Sequence, residues 1–254
     1  MILATGPTGS GKTTTQYSIL KLLDKREVNI MTIEDPVEYE LTGINQIQVN
    51  PRTNLTFADG LRSIVRQDPD IILVGEIRDE ETAGIAVNSA MTGHLVLSTL
   101  HTNDAATTLP RLLDMKVEPF LVASTINIIV GQRLVRRICL KCIESAPYKL
   151  STLEKQLSPE LIKKYFGKSK GEVRLYKSAG CPVCHYTGYV GRIGVYEVIE
   201  MRDNIKEAVM NRSNADHIKE LAIKNGMTPM IEDGIKKAIK GLTTIDEVIR
   251  VIKS

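Results

Sequence analysis

The chain has 254 residues, a length that fits one large domain or two small ones. Its 33 Lys and Arg residues against 30 Asp and Glu residues leave a formal net charge of +3, and its aromatic residues are 8 Tyr, 3 Phe and no Trp. So small a basic excess and so few stacking side chains argue against nucleic acid as the main partner. With 43% apolar and 25% charged residues, the composition is typical of a globular protein with a hydrophobic core.

The sequence predicts neither a membrane-spanning segment nor a secretory signal. The longest stretch without Asp, Glu, Lys or Arg, residues 82–103, contains several polar side chains that a bilayer would penalise. The first residues lack both a basic segment and a long apolar run. We therefore expect a cytoplasmic chain in a reducing compartment, which bears on the state of its cysteines.

Short apolar runs alternate with helix-compatible stretches in the first half of the chain. The runs at residues 1–5, 29–33, 71–74 and 95–98 have the length and composition of buried strands. Strands separated by helical segments are typical of a parallel sheet with right-handed crossovers. The sequence therefore predicts an α/β fold.

The second half of the chain divides at the cysteines. Between Cys139 and about Gly191 the alternating pattern disappears, and all four cysteines fall there, which predicts a small inserted module. Helical periodicity then returns, with Gly226 and Gly241 as predicted helix stops and Thr244-Ile-Asp-Glu247 as a capping box that begins a last helix. We expect three segments: a core at 1–138, the module at 139–190 and a helical subdomain at 191–254.

The clearest chemical motif is a glycine-rich loop directly after the first predicted strand. Residues 6–13, GPTGSGKT, fit G-x-x-x-x-G-K-[ST], and a helix-compatible run follows, which is the context that a phosphate-binding loop requires. In such a loop backbone N–H groups surround the β-phosphate, the lysine reaches the β and γ oxygens, and the threonine hydroxyl ligates Mg²⁺. A glycine turn that matches by chance is the alternative. The predicted ATP-binding residues are Gly6, Thr8, Gly9, Ser10, Gly11, Lys12, Thr13 and Thr14, with Thr13 also on Mg²⁺.

Two acidic clusters follow predicted strands, at the strand ends where parallel sheets bind ligands. Glu34 and Asp35 come after NIMTI, where a carboxylate is placed to orient and deprotonate the attacking water. We favour this catalytic role for Glu34, whereas Asp35 fits a turn begun by Asp-Pro equally well. Glu76, in GEIRD after DIILV, is expected to hold Mg²⁺ through water, with a solvated charge cluster as the alternative.

Two histidines and two arginines complete the candidate residues. His94 and His101 flank the strand LVLSTL, and an imidazole near the γ-phosphate could sense or stabilise its charge. A structural role, the usual one for a single histidine, is the alternative. Arg62 and Arg66 share a helix face at i and i+4 and either reach a phosphate across a subunit boundary or form a solvated, salt-bridged surface.

The four cysteines form two C-x2-C pairs, Cys139 with Cys142 and Cys181 with Cys184. Each pair can place two thiolates on one tight turn, and together they can close a tetrahedral four-sulfur site, which suits structural Zn²⁺. The linker between the pairs is longer than is usual for such sites. Iron, two disulfides, or free or redox-active thiols are the alternatives. We expect a site that stabilises the module and takes no direct part in catalysis.

Together, these motifs resemble those of the type II secretion and type IV pilus ATPases. GPTGSGKTTT is similar to their Walker A motif, TIEDPVEY to their Asp box, RQDPDIILVGEIRD to their atypical Walker B motif and GHLVLSTLHTNDA to their His box. GQRLVRRICLKC and GCPVCHYTGYVGRIGVYEV resemble the flanks of their tetracysteine module. Outside Walker A each motif alone is weak, but their order and spacing are specific, and the resemblance covers nearly the whole chain.

The resemblance implies a RecA-like core, a homo-hexameric ring and Mg-ATP hydrolysis. It makes Glu34 catalytic, Glu76 the Walker B carboxylate, and His94 and His101 the His-box pair. It also implies a ring at the cytoplasmic face of the inner membrane, which docks on a platform protein and drives pilin or pseudopilin polymerisation. No nucleic-acid partner is expected, and the ring is expected to associate with the membrane only through its partner proteins. The tetracysteine module favours assembly or secretion over pilus retraction, but type IV pilus assembly and type II secretion share every motif quoted.

Members of this family carry an N-terminal region before the Walker strand, which covers the nucleotide and supplies arginines to the active site. This sequence begins at the Walker strand, so we expect a fragment, or a form without those functions, that binds nucleotide weakly and hydrolyses it slowly. Two other hypotheses are a DNA-translocating motor on the same core, which the small basic excess disfavours, and a non-catalytic nucleotide-binding scaffold.

Overall fold

The computed structural model describes residues 1–24, 27–167 and 171–253. Its strands are β1 (Ile2–Thr5), β2 (Ile30–Glu34), β3 (Asn45–Gln48), β4 (Ile71–Val74), β5 (Leu95–Leu100), β6 (Ile128–Ile138), β7 (Ile143–Lys149), β8 (Glu172–Ser178) and β9 (Tyr189–Glu200). Its α-helices are α1 (Lys12–Leu23), α2 (Phe57–Val65), α3 (Glu80–Met91), α4 (Thr108–Asp114), α5 (Pro119–Thr125), α6 (Leu150–Glu154), α7 (Pro159–Phe166), α8 (Asp203–Met210), α9 (Ala215–Lys224), α10 (Met230–Ile239) and α11 (Ile245–Lys253). None of the helices in the described ranges combines the length and apolar character that crossing a bilayer requires.

The chain forms two compact units. Unit 1 comprises Met1–Gln132 and Glu197–Met227, and unit 2 comprises Arg133–Tyr196 and Thr228–Ser254. The predicted module at 139–190 falls within unit 2, whereas the predicted helical segment at 191–254 contributes residues to both units. The chain passes from one unit to the other three times: within β6, within β9 and between Met227 and Thr228. The sequence patterns did not predict β6 or β9. The division into three segments stays a prediction.

Unit 1 is built around a sheet with the strand order β3-β2-β4-β5-β1-β6-β9. β1 pairs in parallel with β5 and β6, β2 pairs in parallel with β3 and β4, and β4 pairs in parallel with β5. Each connection between parallel strands must therefore cross over the sheet. The carboxyl ends of these six strands lie at the same edge of the sheet, and we refer to it as the carboxyl edge.

Hydrophobic clusters cover both faces of this sheet. In β2, Ile30 packs in a cluster that includes Tyr17 and Leu20 of α1, while the next residue, Met31, belongs to a second cluster that includes Leu61 of α2. Successive side chains of a strand point to opposite faces, so this alternation shows that helices pack on both sides. Every residue of β2 and β4 is buried as a result.

The four strands predicted from apolar runs are confirmed as β1, β2, β4 and β5, with small shifts at their ends. The mixed α/β class with a parallel sheet is confirmed as well. The predicted helix stops are also confirmed, because Gly226 and Gly241 follow α9 and α10 with φ of +102° and +73°. Glycine adopts this left-handed conformation at low cost and so commonly ends helices.

Unit 2 has a hydrophobic core of its own. β7 and β8 pair antiparallel, with Ile143 opposite Ser178 and Lys149 opposite Glu172. The helices α6, α7, α10 and α11 pack with this pair of strands, and the shared core includes Leu153, Phe166, Leu175, Ile235 and Val248. The segment in which the sequence showed no periodicity therefore contains regular structure.

A buried carboxylate fixes the start of α11. The Thr244 hydroxyl accepts a hydrogen bond from the Glu247 N–H at 3.2 Å, which is one of the two hydrogen bonds of the predicted capping box. The Glu247 side chain, only 1% exposed, is bound by Arg136 at 2.8 Å and by Arg250 at 2.7 Å. Burial alone would raise the pKa of Glu247, but hydrogen bonds from Arg250 and Arg136 outweigh it and lower this pKa to about 2.

Glu247 should make the stability of the protein depend on pH. Because its pKa falls from 4.5 to about 2 on folding, its contribution is complete above about pH 4.5 and is lost as the pH falls towards 2. We expect Glu247→Gln to lower the free energy of unfolding at neutral pH by about 3 kcal/mol. Chemical denaturation at a series of pH values measures both effects.

The matched control is Glu144→Gln, because Glu144 is half-exposed and pairs with Lys177 at 4.0 Å. This substitution should change the unfolding free energy by less than about 0.5 kcal/mol. The assignment is wrong if Glu247→Gln loses stability between about pH 5 and pH 3 as steeply as the unmodified protein does.

Candidate functional site

The predicted motifs meet at the carboxyl edge of the unit 1 sheet. The glycine loop begins directly after β1, Glu34 is the last residue of β2, Glu76 comes two residues after β4, and His101 directly follows β5. Because β2, β4, β5 and β1 are consecutive in the sheet and parallel, these four segments lie side by side. Neighbouring strands are about 4.8 Å apart, so the site extends over about 15 Å.

The loop requires glycine at defined positions. Gly6 has φ +148°, and a Cβ added there would lie 2.3 Å from the backbone oxygen of Gln132. Gly9 and Gly11 have φ of +77° and +90°, which L side chains rarely adopt. Thr8 is exposed, whereas Ser10 is buried. The chain thus turns tightly between β1 and α1.

The start of α1 has the properties of an anion site. Its N-cap residue, Gly11, provides no side-chain hydrogen bond to the first N–H groups of the helix. The buried Ser10 hydroxyl has no hydrogen-bond partner among the described residues. Lys12 Nζ donates to the carbonyl oxygens of Gly6 at 2.8 Å and Pro7 at 3.2 Å, and burial lowers its pKa. These donors fit a nucleotide phosphate.

Gln132 of β6 connects the glycine loop to the first turn of α1. Its Nε2 donates to the Ser10 carbonyl at 2.9 Å, and its Oε1 accepts from the Thr15 hydroxyl at 2.8 Å. Thr13 and Thr14 lie between these contacts, Thr13 half-buried and Thr14 exposed. Gln132 belongs to the segment GQRLVRRICLKC, which resembles a flank of the tetracysteine module, and nothing in that pattern predicts a contact with the glycine loop.

Glu76 lies between two basic side chains. It forms an ion pair with Arg78, and its Oε2 lies 3.2 Å from Nε2 of His101. The histidine contact is at ion-pair distance without hydrogen-bond geometry, and Oε2 has no hydrogen-bond partner among the described residues. The negative charge of Glu76 also opposes the effect of burial on the pKa of Lys12. The structure thus brings Glu76 and His101 together near the loop, with one buried oxygen available to a further ligand.

Glu34 is buried, and its carboxylate accepts three hydrogen bonds. Tyr17 donates to Oε2, while the Thr32 hydroxyl and the Gln46 amide donate to Oε1 at 2.6 and 3.1 Å. The neighbouring Asp35 is exposed. No sequence motif predicts the contacts of Tyr17 and Gln46 with Glu34, because both residues are separated from Glu34 along the chain.

His94 lies at the opposite edge of the sheet. It precedes β5, and its Nδ1 is 2.8 Å from the Ser89 carbonyl oxygen, so Nδ1 carries the proton and donates it there. This hydrogen bond satisfies a carbonyl group in the last turn of α3. Six residues of β5, about 20 Å, separate His94 from His101. Within one chain the structure does not bring His94 together with the other catalytic candidates, and its catalytic role stays a prediction.

The two arginines lie on α2 and at its end, away from the glycine loop. Arg62 binds the carboxylates of Asp59 and Glu81, both more than half exposed. Arg66 is the C-cap residue of α2. A cleft of about 340 Å³ is lined by Arg62, Val65, Arg66, Ile85, Asn88, Ser89 and Thr92. For Arg62 the structure shows the salt-bridged surface that was one of the two expectations.

The four cysteine sulfurs lie within 4.8 Å of one another in unit 2. Cys139 and Cys181 are 3.9 Å apart, and the Cys142–Cys184 and Cys181–Cys184 distances are both 3.7 Å. A disulfide needs about 2.05 Å, whereas four sulfurs bound about 2.3 Å from one zinc ion lie about 3.8 Å apart. The arrangement fits a tetrahedral metal ion and does not fit two disulfides.

The backbone around Cys184 favours the thiolate form of this one cysteine. The N–H groups of Cys181 and Gly188 donate to the Cys184 sulfur at 3.1 and 3.3 Å. Burial alone would raise the pKa of Cys184, but these hydrogen bonds outweigh it and lower this pKa to about 6. Because metals bind cysteine as the thiolate, this environment suits a metal ligand.

Comparison with known proteins identifies relatives over nearly the whole chain. Residues 1–250 match the family model described as "Type II/IV secretion system protein". The chain is 51% identical over 258 residues to Type II secretion system protein E of Xanthomonas campestris pv. campestris, which covers 99% of this chain and 43% of that protein. It is 49% identical over 252 residues to the Type IV pilus assembly ATPase PilB of Thermus thermophilus, which covers 98% of this chain and 27% of that protein.

The chain therefore spans less than half the length of these relatives. Among solved structures, that of the pilus retraction motor PilT with bound ADP is similar with a TM-score of 0.70 and 28% identity, over 98% of this chain and 60% of that one. The fold and the family resemblance inferred from the motifs are thereby confirmed. The chain belongs to the Type II/IV secretion system protein family.

Proposed function

We propose that the chain is the ATP-hydrolysing core of a motor that powers pilin or pseudopilin assembly, in type IV pilus biogenesis or type II secretion. The observation that carries the proposal is the phosphate-binding loop at the same sheet edge as the two buried carboxylates Glu34 and Glu76. Relatives named Type II secretion system protein E and Type IV pilus assembly ATPase PilB support this class of function.

Each side chain at the carboxyl edge has a proposed task. Mg-ATP, when bound, supplies the γ-phosphoryl group and the charge of the metal. The loop N–H groups and Lys12 hold the phosphates, and Thr13 and Glu76 are the residues that would hold Mg²⁺. Glu34 orients the attacking water and accepts its proton, while His101 lies beside Glu76 to respond to charge at the γ-phosphate. The residues that contact the nucleotide are Gly6, Thr8, Gly9, Ser10, Gly11, Lys12, Thr13 and Thr14.

We further propose a homo-hexamer that acts at the cytoplasmic face of the inner membrane on a platform protein. The family to which the chain belongs supports this assignment. In unit 2 we propose Zn²⁺ as the ion that the four cysteines hold. A complete set of four sulfur ligands leaves no open coordination position, so the role of this ion is structural.

Lys12 and Gly6 should both be required for nucleotide binding. We expect Lys12→Ala to weaken the binding of a fluorescent ATP analogue at least about tenfold, because it removes the cation that reaches the phosphates. Gly6→Ala should weaken it comparably, because its Cβ would overlap the Gln132 carbonyl. The matched control is Gly84→Ala in α3, where an added Cβ has nothing within 4 Å. Unchanged binding by Lys12→Ala would refute the phosphate site.

Glu34 should be required for hydrolysis and not for binding. We expect Glu34→Gln to reduce the hydrolysis rate by about 100-fold or more while the affinity for the ATP analogue stays within about twofold. Asp35→Asn, on the exposed neighbour, is the control and should have a small effect. Equal rates for Glu34→Gln and the unmodified chain would remove Glu34 from the mechanism.

The cysteine cluster should hold about one zinc ion per chain. We expect Cys184→Ser to lose this ion and to destabilise unit 2, as measured by elemental analysis and thermal unfolding of the same preparation. Ser178→Ala is the control, because its hydroxyl touches the Cys142 sulfur at 2.9 Å without belonging to the four-sulfur set. Iron in place of zinc would contradict the identity of the ion, and full metal content in Cys184→Ser would contradict the site.

A further inference from the structure

One buried tyrosine connects the phosphate-loop helix to the proposed catalytic glutamate. Tyr17 lies on α1, five residues after Lys12, and its side chain is fully buried. Its hydroxyl donates to Oε2 of Glu34 and accepts hydrogen bonds from the Gln46 amide at 3.3 Å and the Glu38 N–H at 3.4 Å. The Tyr17 hydroxyl is therefore held by groups from outside its own helix.

The hydrogen bonds to Glu34 leave its two oxygens unequal. A carboxylate has about four acceptor positions, two on each oxygen. On Oε1 both are used, by Thr32 at 2.6 Å and by Gln46 at 3.1 Å. On Oε2 one is used, by Tyr17. The remaining acceptor position on Oε2 is the one that a water molecule can occupy, and the Tyr17 hydroxyl determines its direction.

We propose that Tyr17 is a positioning residue for hydrolysis, which aims the remaining acceptor position of Glu34 Oε2 at the attacking water. This inference rests on the proposed function of Glu34. Because Tyr17 and Lys12 belong to the same short helix, the hydroxyl also sets the glutamate relative to the bound phosphates. An α-helix advances about 1.5 Å per residue, so the Cα atoms of Lys12 and Tyr17 lie about 7.5 Å apart along the axis of one rigid helix.

The surroundings of Tyr17 suit such a role. Burial, together with its hydrogen bond to Glu34, raises the pKa of Tyr17 well above its usual value, so the hydroxyl remains a donor. The Tyr39 ring packs edge-on against the Tyr17 ring with centroids 4.8 Å apart, which restricts its motion. A hydroxyl that only satisfied a buried carboxylate would affect folding, whereas a positioning hydroxyl affects the rate through Glu34.

A double-mutant cycle between Tyr17→Phe and Glu34→Gln separates these roles. Hydrolysis of labelled ATP is measured under single-turnover conditions with the chain in excess, which detects slow rates, and affinity is measured with a fluorescent ATP analogue. We expect Tyr17→Phe to slow hydrolysis about tenfold with affinity within about twofold, and to cause no further loss in the Glu34→Gln background. Tyr39→Phe keeps the ring that contacts Tyr17 and should match the unmodified chain.

The outcomes distinguish this inference from the proposed function. If Glu34→Gln slows hydrolysis but Tyr17→Phe does not, the positioning role is wrong and the function of Glu34 stands. If Glu34→Gln has no effect, the catalytic role of Glu34 is wrong, and the inference with it. Equal losses from Tyr17→Phe with and without Glu34 would show that Tyr17 does not act through Glu34, and the positioning role would be wrong.

A spectroscopic measurement provides a second test that does not depend on the rate. In a chain with ¹³C-labelled glutamate carboxyl groups, the resonance that disappears in Glu34→Gln belongs to Glu34. We expect this resonance to shift in Tyr17→Phe and to stay in place in Tyr39→Phe. An unshifted resonance in Tyr17→Phe would show that the hydroxyl does not define the environment of the carboxylate.

Discussion

Parallel pairing of β2, β4, β5 and β1 places the four segments that follow these strands at one edge of a sheet. Each segment supplies one kind of group: the loop after β1 supplies N–H donors and a cation, β2 a buried carboxylate, and the segments after β4 and β5 a second carboxylate and an imidazole. None of them is a site alone. The strand order that buries the hydrophobic core therefore also brings these groups together at one edge of the sheet.

Three of the buried carboxylates, those of Glu34, Glu76 and Glu247, are stabilised in different ways. Glu247 is bound by two arginines, and both of its oxygens are used. Glu34 accepts hydrogen bonds from neutral groups, the hydroxyls of Tyr17 and Thr32 and the amide of Gln46, and these satisfy a carboxylate without pairing it with a positive charge. Glu76 has an arginine on one oxygen and no hydrogen-bond partner among the described residues on the other. Burying an unsatisfied oxygen is costly, so the arrangement at Glu76 suits a ligand and that at Glu247 suits folding.

Sequence patterns predicted the parts of the fold that depend on residues close to one another along the chain. β2 and β4 are continuous apolar runs, because both faces of these strands are covered, and the glycine loop is recognisable because its backbone requires fixed residue types. β3 escaped prediction because NQIQ is polar and partly exposed, and β6 because glycine and arginines interrupt its apolar pattern. Contacts such as Tyr17 with Glu34 and Glu247 with Arg136 depend on which strands and helices become neighbours, and no local spacing encodes this. His94 and His101 are close in the sequence but far apart in the structure, because β5 runs between them from one edge of the sheet to the other.

The ammonium of Lys12, tied to two carbonyl oxygens of its own loop, affects how substrate and product are distinguished. An incoming phosphate has to replace the two backbone carbonyls as the hydrogen-bond partner of this ammonium. The free energy gained on binding is therefore only the difference between the two sets of hydrogen bonds. In the proposed site the loop N–H groups surround the β-phosphate, which ATP and ADP share, whereas Lys12 also reaches the γ-phosphate, which only ATP carries. Once the γ-phosphate is gone, the Gly6 and Pro7 carbonyls are the partners to which the Lys12 ammonium returns. The backbone of the loop thus competes with the nucleotide for this cation, and it competes more effectively against the product than against the substrate.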